Sequence, residues 1–252
     1  MIKNFTIKHF FTKLFFSLMP LVYGASSWFF NYGWGSQFRF MNYALRTLFL
    51  VCGMVLFFKK DFEYARKNYP VYIGSWKLYL PSWKLFVVVP AVLMLGTRYI
   101  YSPSNPIIQS IIYGVLTSGF YEEIFSRSLF VKYRMSICEF LFWNFISSCS
   151  FALMHAGFEQ VPAPFLSYIL ERGHVEYSFM LGLIVYKTQR IELTMLMHSI
   201  GNLLRYTLPV LVFGCSTMPL FRVSYLIEIL VLGFCRREKK LLASDDRGVL
   251  DA

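Results

Sequence analysis

Residues 107–134 read IIQSIIYGVLTSGFYEEIFSRSLFVKYR. Most of this stretch is apolar, yet its centre holds Glu122, Glu123 and Arg127. A helix crossing the ~30 Å hydrocarbon layer needs about 20 mostly apolar residues, so this run is too long for a simple span. Ionisable groups inside such a span are expensive, and each is a functional candidate by default. The fold therefore depends on whether the surroundings of this stretch are also built for lipid.

They are. Of 252 residues, 56% are hydrophobic and only 15% are charged, against about 25% charged in a soluble domain. The 27 Phe and 17 Tyr suit lipid and its interfaces better than a water-facing surface. This balance excludes a cytosolic enzyme, and it is the reverse of a disordered chain. No collagen pattern, heptad pattern or internal repeat is present. The expected class is all-α: a polytopic membrane helix bundle of about eight spans, with residues 1–252 as one domain. The net charge of +11 (25 Lys and Arg against 14 Asp and Glu) fits cytoplasmic loops facing anionic lipid. No nucleic-acid partner is expected. The five cysteines, at 52, 138, 149, 215 and 235, show no metal spacing and read as small apolar residues in helices.

Apolar runs place the spans at 10–30, 40–58, 85–101, 107–134, 139–157, 174–187, 191–213 and 218–235. The first, preceded by Lys3, Lys8 and Lys13, resembles a signal peptide but reads as an uncleaved helix, because the rest of the chain is also membrane. Basic residues cluster at the N-terminus, in 59–84, at Lys132 and Arg134, at Lys187 and Arg190, and in the tail 236–252. The intervening connections are nearly bare. This alternation fits both termini in the cytoplasm, with 236–252 as a cytoplasmic tail. The aromatic, basic segment 59–84 reads as lying on the inner leaflet. Small size and the absence of organelle signals suggest a bacterial cytoplasmic membrane.

Three groups of polar residues fall inside spans: Glu122, Glu123 and Arg127; Phe151 and His155; His198 and Asn202. Glu123 and Arg127 are i,i+4, with the acid on the N-terminal side, which favours a contact. Glu122 is rotated by about 100° from Glu123, toward the bundle interior. His198 and Asn202 share a face, as do Phe151 and His155. Counted from the cytoplasmic ends of their spans, Glu122 lies ~20 Å deep, His155 ~24 Å, His198 ~10 Å and Asn202 ~17 Å. The groups can therefore meet inside the membrane. Taken singly, Glu123–Arg127 reads as structural, His155 as a buried core histidine, and His198 with Asn202 as interhelical hydrogen bonding. Together they are harder to read that way. Glu228, in the last span, is expected to pair with one of the span arginines.

Glu-Glu-x-x-x-Arg at 122–127, Phe-x-x-x-His at 151–155 and His-x-x-x-Asn at 198–202 resemble, in this order, the CPBP family of CAAX prenyl endopeptidases and bacteriocin-processing proteins. The resemblance covers roughly 107–205, within a catalytic core of 107–213. One departure is Ser128, where the family often has Gly after the Arg. The resemblance implies an intramembrane endopeptidase acting on a membrane-anchored, prenylated or otherwise hydrophobic peptide or protein. It further implies that Glu122 and His155 activate a water, while His198 and Asn202 stabilise the oxyanion. Glu123, Arg127 and Phe151 would support them. A zinc version stands beside it, with Glu122, His155 and His198 as ligands and water in the fourth position. Two other function classes remain in view. One is a non-catalytic immunity or scaffold protein of the same fold. The other is a transporter using Glu122 and His155 as a proton relay, disfavoured by the lack of paired repeats.

Overall fold

The computed structural model describes residues 7–32, 71–73, 75–78, 88, 92, 119–133, 135–159, 173–204 and 221–237. In chain order these form helix α1 (Ile7–Tyr32), strands β1 (Val71–Ile73) and β2 (Trp76–Leu78), and helices α2 (Gly119–Lys132), α3 (Ile137–Glu159), α4 (His174–Thr188), α5 (Ile191–Asn202) and α6 (Phe221–Phe234). Strand β3 (Cys235–Arg237) follows α6 directly. The protein is mostly helical, as its composition implies.

Each described helix falls on an expected span. The apolar runs at 10–30, 139–157 and 174–187 correspond to α1, α3 and α4 within a few residues. The expected span 40–58 lies outside the described residues. Span 85–101 is represented by Val88 and Val92, both helical and exposed. Among the described residues, one helical stretch, Ile137–His155, is both long and apolar enough to cross a membrane, and Phe10–Ala25 is a shorter apolar one.

Large apolar side chains are exposed on α1 and α3, while several polar side chains are buried among apolar neighbours. On α3, Phe142 and Phe145 are more than half exposed. Asn144, Ser147, Ser148 and Phe151, spaced i, i+3, i+4 and i+7, form a buried face of the same helix. The outer surface of α1 likewise shows Ile7, Phe11 and Phe15. In water such exposed rings would be costly; against lipid tails they are neutral, and helix association then rests on packing and interhelical hydrogen bonds.

Helix α2 is the centre of the bundle. Every residue from Glu122 to Phe130 is buried. Tyr23 of α1 stacks on Phe125 with centroids 5.1 Å apart, and Phe130 meets Phe140 of α3 edge-on at 5.1 Å. Phe140 in turn stacks on Tyr186 of α4 at 4.2 Å. Ser147 Oγ donates to the Ser126 carbonyl at 2.8 Å, tying α3 to α2. Asn144 Nδ2 donates to the Phe179 carbonyl at 3.0 Å, tying α3 to α4. At that crossing Gly182 meets the Asn144 carboxamide so closely that any side chain would collide with it. Lys13 of α1 pairs with Glu139 of α3.

Three details differ from the expectations. The segment 59–84 contains a hairpin, with Ile73 opposite Trp76, and β3 pairs antiparallel with β1 on its other side, giving the order β2-β1-β3. Val71-Tyr72-Ile73 is a short β-branched and aromatic run followed by Gly-Ser, which is hairpin chemistry. Cys235, Arg236 and Arg237 therefore belong to a strand, so Cys235 is not helical and the tail expected at 236–252 begins inside an ordered element. Arg190, expected as a loop cation, is buried and ion-paired with Glu192 at the tight α4–α5 turn. Gln189 turns the chain there with φ 57, its N–H donating to the Val185 carbonyl. The side chain of Glu228 lies outside the described residues.

Candidate active site

Three helices bring three of the expected residues to one place. Glu122 on α2 is 5% exposed. Its Oε2 lies 3.7 Å from Nε2 of His155 on α3 and 3.7 Å from Nε2 of His198 on α5. These are electrostatic distances rather than hydrogen bonds. A carboxylate thus sits between two imidazoles inside an apolar bundle. His155 is the most accessible of the three, its side chain 18% exposed.

The His155 ring is oriented from its own helix, and the His198 ring from neighbouring helices. His155 Nδ1 lies 3.0 Å from the Phe151 carbonyl, one turn back on α3. A carbonyl can only accept, so this contact requires a proton on Nδ1; in the neutral ring the lone pair is then on Nε2, on the Glu122 side. The Phe151 ring packs against His155 at 4.5 Å and against His198 at 5.9 Å. His198 Nδ1 lies 3.0 Å from Glu123 Oε1, which draws the Nδ1 proton to the carboxylate.

Glu123 and Arg127 form the expected i,i+4 contact, with Arg127 Nε 3.3 Å from Glu123 Oε2 and both side chains fully buried. The guanidinium also donates to Ser178 Oγ of α4 at 2.7 Å and lies over the Phe151 ring at 5.7 Å. The pair is therefore more than a neutralised charge. It joins α2 to α4, and through Glu123 it holds His198 of α5. Asn202, the last residue of α5, is partly buried one turn beyond His198.

Two neighbours were not expected from the sequence. His174 of α4 is buried and stacks on His155, with ring centroids 4.5 Å apart and planes 24° apart. Tyr177 meets His198 edge-on at 5.4 Å. With Ser178 these residues occupy i, i+3 and i+4 of α4, a shared-face spacing that the sequence does contain.

Among the described residues no group of three or more His, Cys, Asp and Glu has the arrangement to hold a metal ion. Glu122, His155 and His198, the expected zinc set, are not among such groups.

The fold and site define a helical protein whose ionisable groups converge inside an apolar bundle. Residues 103–204 match the family described as Type II CAAX prenyl endopeptidase Rce1-like, the CPBP/CAAX group that the three motifs resemble. All three quoted motifs lie within it. The match supports a protease of the CAAX endopeptidase kind, and members of that family are integral membrane proteins. No curated protein and no solved structure matches the chain.

Proposed function

We propose that the protein hydrolyses a peptide bond in a membrane-associated, prenylated or otherwise hydrophobic peptide, using a water activated by Glu122 and His155. The single observation carrying this reading is the buried Glu122 carboxylate 3.7 Å from both imidazole Nε2 atoms. A water held between Glu122 and the lone pair on His155 Nε2 gives up a proton as its oxygen attacks the scissile carbonyl. The new C–O bond places negative charge on the carbonyl oxygen. His198 and Asn202 supply the donors for that charge. A donor role for Nε2 of His198 requires a proton there, and its contact with Glu123 then makes the ring doubly protonated, with Glu123 compensating the charge. Collapse breaks the C–N bond, and the proton taken from water goes to the leaving amine.

In the same proposal the chain is a multi-pass protein of a bacterial cytoplasmic membrane with both termini in the cytoplasm, supported by the alternation of loop charge. Its partners are the lipid bilayer and the substrate. The test is cleavage of a prenylated CAAX peptide by purified protein. The wild type is expected to cleave, while Glu122→Ala and His155→Ala remain folded and inactive. Full activity in either variant overturns the assigned roles.

A further inference from the structure

We infer that His174 is a positioning residue for His155, a role that rests on the proposed Glu122–His155 chemistry and adds a fourth helix to it. His155 is accessible at one side, so its ring needs support to keep Nε2 aimed at Glu122. The Phe151 ring closes one side at 4.5 Å, tilted by 44°. The Phe151 carbonyl fixes Nδ1 at 3.0 Å. Phe151 and its carbonyl belong to the same helix as His155, so they move with it. The His174 ring comes from α4, at 4.5 Å and nearly parallel, and it is 2% exposed. It is a flat wall contributed from outside α3.

The same turn of α4 holds the rest of the site. Ser178 accepts from Arg127 at 2.7 Å, and Tyr177 packs edge-on against His198 at 5.4 Å. Gly173, in the left-handed conformation with φ 66, starts α4 immediately before His174. That conformation costs glycine little and most residues considerably more. The helix start is thus placed so that its first residue lies on the His155 ring. Stacking can act through shape here, without His174 touching substrate.

The experiment measures kcat and KM separately for a prenylated CAAX peptide, with thermal unfolding of the same preparations. His174→Leu fills much of the volume but removes the flat ring. A misplacement near 1 Å costs on the order of 100-fold in rate, so kcat is expected to fall about 10- to 100-fold with KM nearly unchanged. His174→Phe restores a flat ring and is expected to recover most of that loss. Should His174→Leu fail to accumulate, His174→Met takes its place with the same expected loss. Wild-type kcat in the Leu or Met variant overturns the inference, as does a Phe variant no better than Leu. Glu122→Ala, run alongside, separates the two levels. If Glu122→Ala is as active as wild type, the underlying chemistry fails. If it is inactive while His174→Leu is unimpaired, the positioning role alone fails.

Discussion

Glu123→Gln is the most informative perturbation outside the reacting atoms. It keeps the shape of the side chain and removes one charge. Arg127 is fully buried and lies 3.3 Å from Glu123, so the substitution leaves a guanidinium in the bundle without its compensating carboxylate. Breaking a buried pair from one side costs about 3–5 kcal/mol. Ser178 and the Phe151 ring still contact Arg127, which places the expected loss toward the lower end of that range. Against a total stability of about 5–15 kcal/mol, this should lower yield and the unfolding midpoint clearly. The double variant Glu123→Gln, Arg127→Met removes both charges, and replacing a buried pair with packed neutral groups is often close to neutral. Unfolding of the purified protein should therefore show the double variant recovering most of the stability lost by the single one. Activity should not recover, because His198 Nδ1 has still lost the carboxylate at 3.0 Å. A single variant as stable as wild type would refute the charge argument. A double variant with wild-type activity would refute the link from Glu123 to His198.

Other consequences can be measured separately. Asn202→Ala should lower kcat by about 100- to 1,000-fold, the usual loss for one oxyanion donor, with little change in KM; wild-type kcat would remove Asn202 from the site. Gly182→Val should destabilise the fold by about 1–3 kcal/mol or more through its collision with Asn144, read as a lower unfolding midpoint. Treatment with phenanthroline should leave cleavage intact and purified protein should carry no stoichiometric zinc; inhibition together with bound zinc would replace the Glu122–His155 water mechanism.

Much of the helical layout could be read from the sequence because apolar runs and span lengths are tightly linked. The runs at 139–157 and 174–187 predict Ile137–Glu159 and His174–Thr188 closely. The hairpin is less legible, because Tyr72, Trp76 and Lys77 also suit a membrane interface and the strands flanking Gly74-Ser75 are only three residues long. Residue counts along a span translate poorly into depth here. They set His198 ~14 Å shallower than His155, yet both rings lie 3.7 Å from Glu122. The reason is the α4–α5 turn. Arg190 is buried and paired with Glu192 there, whereas the count treated it as a loop cation at the membrane surface.

The site shows a similar division. Glu122, His155 and His198 stand out because ionisable residues are rare in apolar runs. Contacts between helices do not show in the spacing of any one of them, so Glu123 could be linked to Arg127 but not to His198. His174 opens its span, where a polar residue is ordinary. The His174, Tyr177 and Ser178 spacing marks a shared face, but sequence alone does not say that this face meets His155, His198 and Arg127.

The most direct measurement is cleavage of a prenylated CAAX peptide in proteoliposomes containing wild type or Glu122→Gln, with product masses recorded. Wild-type protein should release a defined C-terminal fragment, and Glu122→Gln, equally inserted and equally stable, should lose at least about 100-fold of that rate. Equal rates in the two proteins would contradict the claim that this buried carboxylate activates the attacking water.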